Sequence, residues 1–304
     1  MRKIKYRFIY LLLSFILVFI AKKYPVHVMY YSSFKRSYNK KLSVDKCFKQ
    51  DTRQLVLGMC WYSAWTSAIF TDKKSITNLT IDGSNIKATF YRPKIFGKAF
   101  TSQFELMNFQ YNNWQNIVFE EISFNIDTKV LCMFGIYPSW GASKNSKEMW
   151  YEMYIKAFNI FFNRFCFNNS TPCGEIYKET LADSLAVDGG YPYIAPLLML
   201  GDKCKDIKFI YTDDDDFKTE LKKTNTIIDN IKYNTVLVTD SKTKLVKSHV
   251  YAITGRDQDN YIVYNPWGRK DCRVDKINDG QSVVSADFIK KNFEYLVIVG
   301  RYQK

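Results

Sequence analysis

Ahead of position 60 the chain runs Gln54-Leu55-Val56-Leu57-Gly58-Met59 and then delivers Cys60-Trp61 onto what reads as the first turn of a helix. Trp61, Ala64, Trp65 and Ala68 recur at i, i+3/i+4 spacing, so one face of that helix must be covered by the rest of the protein. A helix N-terminus carries roughly half a positive charge and unpaired backbone N–H groups, which favour a thiolate over a thiol. Gly58 lets the backbone pass tightly in front of the helix and leaves the sulfur accessible. By itself the segment fits an inert core cysteine as well as a nucleophile, because free cysteine is commonly buried. What separates the two readings lies far downstream.

A nucleophilic cysteine needs a base, a group that orients the base, and donors for the oxyanion. The chain has two histidines. His27 sits in a basic N-terminal spacer, a poor place for preorganised chemistry, which leaves His249 at the head of the strand Ser248–Thr254. A strand histidine standing alone is most simply structural, but Tyr264-Asn265-Pro266-Trp267-Gly268 closes the next strand, Tyr261–Tyr264. With Gly255–Asn260 as the connecting loop, the hairpin returns Asn265 to the edge that carries His249. An asparagine there can accept from the imidazole N–H and fix its tautomer, with Trp267 as a roof. The plainer role of Asn-Pro-x-Gly is a turn that ends a strand. Gln54, six residues before Cys60, offers a side-chain amide that can join the Cys60 backbone N–H at an oxyanion. The order Gln…Cys…His…Asn, with His249 standing 189 positions after Cys60, is more specific than any of its members.

These blocks resemble the calpain family of papain-like cysteine proteases. The family's Gln-Gly-x-Leu-Gly-Asp-Cys-Trp is matched by Gln54–Trp61, its Gly-His-Ala-Tyr-Ser by Ser248-His249-Val250-Tyr251-Ala252, and its Arg-Asn-Pro-Trp-Gly by Tyr264–Gly268. Trp150–Phe158 resembles the family's helix with Trp and Glu-Lys-Ala-Tyr, and Asp279-Gly280 through Asp287-Phe288 and Phe293 its closing segment. The likeness spans about Gln50 to Gly300, the catalytic core alone. Met59 stands where the family has an acid, Leu55 and Ser248 where it has glycines, and the loop between His249 and Asn265 is short.

The resemblance implies an α+β, papain-like fold with a helical lobe over about 50–185, a β-rich lobe over about 186–304, and the active site between them. It implies an endopeptidase acting on protein or peptide substrates through Cys60, His249 and Asn265, with Gln54 at the oxyanion. Calcium is implied by family alone, with no ligands mapped onto this chain. A catalytically inactive scaffold and a thiol acyltransferase or amidase are the alternative readings.

Charge and cysteine usage narrow the rest. The net charge is +14, but eleven of those charges lie in the first fifty residues, so the body is nearly neutral and offers no basic stripe for nucleic acid. Seven cysteines without a C-x-x-C pair, beside two histidines, give no zinc site of ordinary spacing and no organic-cofactor motif. Arg2–Arg7, the apolar run Phe8–Ala21 and Lys22-Lys23 read as a signal peptide or signal anchor over 1–23, followed by a basic linker or pro-segment over 24–49. That predicts a secreted or membrane-anchored protein, whereas the family is mostly cytoplasmic. Sequons at Asn78, Asn168 and Asn169 are compatible with a lumenal body.

Further along, the pattern predicts strands around Ile86–Tyr91 and Ile117–Phe124 and a helix over Glu148–Phe162. A polar loop follows at Asn168–Gly174 that a Cys166–Cys173 bridge would clip, then a turn at Asp188-Gly189-Gly190 opening a helix through Leu200. Asp213–Asp216 reads as a solvated acidic N-terminus, rather than a metal site, for a helix over Phe217–Asn230. Strands follow at Thr235–Thr239 and Tyr295–Val299.

Overall fold

The computed structural model describes residues 52–54, 58–70, 78–82, 85–113, 116–128, 132–133, 137–138, 141–143, 150–239, 245–267 and 280–302. The signal and linker readings of 1–49, with His27, lie outside them. In chain order the elements are β1 (Thr52–Gln54), α1 (Cys60–Ile69), β2 (Leu79–Asp82), β3 (Asn85–Ile95), β4 (Lys98–Ala99), α2 (Gln103–Asn113), β5 (Val118–Ile126), β6 (Cys132–Met133), β7 (Tyr137–Pro138) and β8 (Gly141–Ser143). Then come α3 (Trp150–Phe161), a π-helical turn Phe162–Cys166, β9 (Ile176–Tyr177), α4 (Leu181–Leu185), α5 (Ile194–Leu200), β10 (Cys204–Tyr211) and α6 (Phe217–Lys222). The chain closes with β11 (Ile227–Ile228), β12 (Ile231–Val238), β13 (Val250–Asp257), β14 (Asn260–Tyr264), β15 (Gln281–Val284), α7 (Ala286–Asn292) and β16 (Tyr295–Tyr302). The protein is α+β, as expected. The first half is not only helical, however: it also contains a five-stranded sheet in the order β2-β3-β5-β9, with β4 on β3.

The second half builds a seven-stranded sheet, β10-β16-β12-β13-β14-β15 with β11 on β12. Its side chains alternate between two cores, as the period of two requires. Val236, Val238, Val250, Ala252, Val297 and Val299 join the core that holds α1 and α5. Leu237, Tyr251, Ile253, Leu296 and Ile298 face the other way, against Phe217, Leu221, Ile289 and Phe293. α1 therefore lies across the face that carries β12 and β13, and nine of its ten residues are buried.

In the first half, β3 alternates in the same way, burying Ile86, Ala88, Phe90 and Arg92. Phe90 packs on Tyr154, Phe158 and Phe161 of α3, a helix buried on every side. Polar groups on such a helix need partners, and two of them are well supplied: Lys156 pairs with Asp127, while Asn159 donates to Glu179 and accepts from the Tyr62 hydroxyl.

Three expectations need correction. Cys166 and Cys173 are both free, one buried and the other exposed. The loop between them is held instead by Arg92, whose Nη1 donates to the carbonyls of Phe165, Asn168 and Ser170 while its Nε and Nη2 grip Glu120. The helix after the acidic run stops at Lys222: Asn225 takes positive φ and donates its N–H to the Tyr233 carbonyl, and Asp229 and Asn230, also at positive φ, turn β11 back into β12 as a two-residue hairpin. Asn78 is not a displayed glycan acceptor: it is buried, and its Nδ2 donates to the carbonyls of Thr89 and Met199.

Strand and helix limits also shift. β3 and β5 run longer than the predicted strands, and β13 continues through Asp257 over an irregularity between Ile253 and Gly255, so the hairpin to β14 is tighter than the predicted loop. Within the acidic run, Asp214 accepts the Tyr211 N–H and Asp216 stands at the head of α6.

Candidate active site

Cys60 is the first residue of α1, half-buried at the wall of a cleft. The approach is set by close backbone contacts. The Gly58 N–H donates to Asp188 Oδ1 at 2.7 Å and its carbonyl accepts the Gly189 N–H at 3.1 Å. A Cβ at Gly58 would lie 3.0 Å from that Asp188 oxygen, so the position tolerates little beyond hydrogen. Trp61 continues the seam: Nε1 donates to the Val187 carbonyl, and its ring lies where a Cβ on Gly190 would sit, at 2.4 Å. Met59 is fully buried and its sulfur accepts the Tyr62 hydroxyl. A carboxylate in that place would be desolvated within an aromatic core.

The opposite wall is β13 and what precedes it. His249 is buried, and its backbone is held by Thr239: the His249 N–H donates to Thr239 Oγ1 at 2.9 Å, and the Thr239 N–H to the His249 carbonyl at 3.0 Å. Ser248 has φ +49°, a left-handed conformation that glycine adopts freely and serine at a cost of about 1–2 kcal/mol. That places strain directly beside the histidine.

His249 Nε2 lies 3.0 Å from Asn265 Oδ1. That oxygen also accepts the Trp267 N–H at 3.0 Å. Turning the amide over would aim its NH₂ at a donor, so Oδ1 is the atom that faces the ring. Nε2 must then carry the proton, and Nδ1 is the basic nitrogen. Trp267 lies against the imidazole with centroids 4.7 Å apart, and Tyr251 meets it edge-on at 4.9 Å. Asn265 is placed by its own N–H, donated to the Gly280 carbonyl at 2.9 Å.

Gln54 joins the group through its backbone. Its N–H donates to the Pro266 carbonyl at 2.7 Å, so the end of β1 is tied to the residue after Asn265, and its side chain is buried. The four residues singled out in the sequence come from three separate stretches linked in series: Gln54 to the residue after Asn265, Asn265 to His249, and Cys60 to the backbone of Val250, the residue after His249. Burial pushes the Cys60 thiol above its ordinary value, against the backbone N–H groups of Val250, Cys60 and Trp61, which favour the anion. The lowered thiol expected from the helix N-terminus is outweighed by desolvation. The Val250 interaction also couples the sulfur to the residue after His249.

The cleft has a volume of about 620 Å³ and is bounded by Gly189–Pro192 on one side and by Val238, Thr239, Ser248 and Glu294 on the other. Thr239 and Asp188 escaped the sequence reading. The only signals were a threonine closing a strand and an aspartate before two glycines. Among the described residues no group of three or more His, Cys, Asp or Glu side chains is arranged to hold a metal ion, and no helix is long and apolar enough to cross a membrane. No protein-family model and no curated protein matches the chain.

Proposed function

We propose that the chain is a calpain-like cysteine endopeptidase of papain-like, two-lobed architecture, with its active site in the cleft between α1 and the His249–Asn265 hairpin. One observation carries the reading. Cys60 at a helix start interacts with the backbone N–H of Val250, the residue after His249, and the His249 imidazole is oriented by Asn265 in the tautomer a thiol base needs.

In the proposed reaction His249 Nδ1 takes the Sγ proton as the sulfur attacks the peptide carbonyl carbon. The buried thiol makes this transfer to His249 the source of the anion. The Cys60 N–H and the Gln54 amide hold the oxyanion, a donor of this kind contributing about 10²–10³ in rate. The C–N bond breaks as the imidazolium protonates the leaving amine. His249 then takes a proton from water, which attacks the thioester and releases the carboxylic acid and the free thiol. Asn265 keeps the ring in plane throughout. No step is routed through calcium. The N-terminal apolar segment supports a secretory route for the enzyme, as a secreted or anchored protein.

Cys60→Ala and His249→Ala are expected to reduce cleavage of a peptide mixture to the level without protein, and an epoxide thiol-protease probe to modify Cys60, each measured with calcium and with chelator. Residual cleavage equal to that of the unaltered chain in either variant would overturn the assignment. The raised thiol favours one other reading, a binding scaffold without turnover. Labelling of Cys60 without cleavage of any peptide would select it.

A further inference from the structure

Among the described residues, the cleft beside Cys60 is lined by a single charged side chain, the carboxylate of Glu294, and by no lysine or arginine. Its backbone is fixed: the Glu294 N–H donates to the Val238 carbonyl at 2.9 Å, and its own carbonyl accepts the N–H and hydroxyl of Thr212 at 3.0 and 3.2 Å. Its side chain is exposed and makes no hydrogen bond or ion pair among the described residues. Glu120, Asp127, Asp183 and Glu220, in contrast, are each matched to a lysine or arginine. A carboxylate at the lining of a cleft, on a backbone held at both its N–H and its carbonyl, is suited to a ligand's charge.

The ring faces around it indicate which charge. Tyr191 and Tyr295 line the same cleft. Tyr295 continues into Tyr211 and Phe209 at 5.8 and 6.4 Å between centroids, and Tyr193 joins Phe209 to Tyr191 at 4.7 and 5.7 Å. Burial and the Glu294 charge push the Tyr295 phenol up to about 12, so these neighbours share one electrostatic environment. Aromatic faces beside a carboxylate favour a cation with an aliphatic stem.

We infer that the cleft selects peptides with a lysine or arginine next to the bond presented to Cys60, Glu294 being the specificity-determining carboxylate and Tyr191 and Tyr295 the faces along the stem. This rests on the peptidase reading of the same cleft. The test digests an unbiased peptide mixture with the full chain and maps the cleaved bonds by mass spectrometry. Sites are expected to be enriched in Lys and Arg, the enrichment to fall about fivefold in Glu294→Gln, and to turn toward Asp and Glu in Glu294→Lys. Asp213→Asn, which removes an acid outside the cleft, is expected to keep the original profile. An unchanged profile in Glu294→Lys, or an equal shift in Asp213→Asn, would overturn the inference.

A second measurement separates this inference from the peptidase reading. Two epoxide probes, one carrying lysine and one glutamate, are compared for their rates of Cys60 modification. A rate ratio that follows the charge at 294 without any peptide cleavage supports the cleft's preference and removes the peptidase reading. A ratio indifferent to that charge, or no modification by either probe, overturns the inference itself.

Discussion

The two walls of the cleft are held by different forces. α1 is fixed by packing: Trp61 meets Tyr62, Phe158 and Phe162 at 5.3–5.8 Å between centroids, and only Cys60 in the helix escapes full burial. The His249–Asn265 wall is fixed by directed bonds: a strand ladder, Thr239 on the histidine backbone, and one amide oxygen that serves both the imidazole and Trp267. A packed wall resists change through many small contacts, so its failure is a failure of the fold. A bonded wall concentrates orientation in a few atoms, so losing one of them can disable the site while the fold survives.

Trp61→Ala is the strongest way to break the packed wall. It removes a fully buried indole, the bond to the Val187 carbonyl and the support under Gly190. The expected loss is about 3–5 kcal/mol of stability, read as a lower urea midpoint at unchanged slope. Trp61→Phe should lose less, since it keeps part of the volume. If both variants unfold at the original midpoint, Trp61 does not anchor the helix.

Asn265→Ala tests the bonded wall. It frees the imidazole from its orienting acceptor and leaves the Trp267 N–H without that partner. Peptide cleavage is expected to fall about 10²-fold, with a shift of the pH–rate profile, while the unfolding midpoint moves far less than in Trp61→Ala. Asn265→Asp keeps an acceptor and should retain more activity than the alanine variant. A large loss of stability with unaltered catalysis among the folded molecules would reverse the contrast between the walls. The Nδ2 of Asn265 is buried with no hydrogen-bond partner among the described residues, so the amide is kept for its oxygen.

The same contrast explains what could be read in the chain. Cys60, His249 and Asn265 stood out because histidine is scarce and because a strand head, a hairpin and an Asn-Pro turn are local patterns. The hairpin's return to one edge follows from strand geometry, and it appears in the register Ala252↔Tyr264. Long-range polar partners leave no such trace. Arg92 lies in an alternating strand like any surface arginine, and nothing in the sequence reveals that its guanidinium gathers three carbonyls from 73–78 residues away. The cysteines flanking that loop suggested a bridge because spacing was the only information at hand. The five-stranded sheet was under-read for a related reason: β9 is two residues long and pairs parallel with the distant β5. Over Phe217–Asn230 a helical pattern continued past Lys222 until Asp229 and Asn230, whose positive φ is a property of the turn and not of the composition.

The smallest effect concerns the support behind the packed wall. Tyr62 donates to Asn159, and Asn159 and Ser184 donate to one oxygen of the fully buried Glu179. Burial pushes the Glu179 carboxyl above its ordinary value, while those two donors and the Lys156 charge pull it down. The fold therefore favours the protonated acid. Stability from this group is complete below the carboxylate value of the unfolded chain and declines as pH rises through the higher folded value. Glu179→Gln keeps an acceptor oxygen and cannot ionise. Its melting temperature should match that of the original chain near pH 4 and exceed it by a few degrees near pH 8. A gap that closes as pH rises would mean that Glu179 is stabilised as a carboxylate, and that the support of α1 is ionic rather than packed.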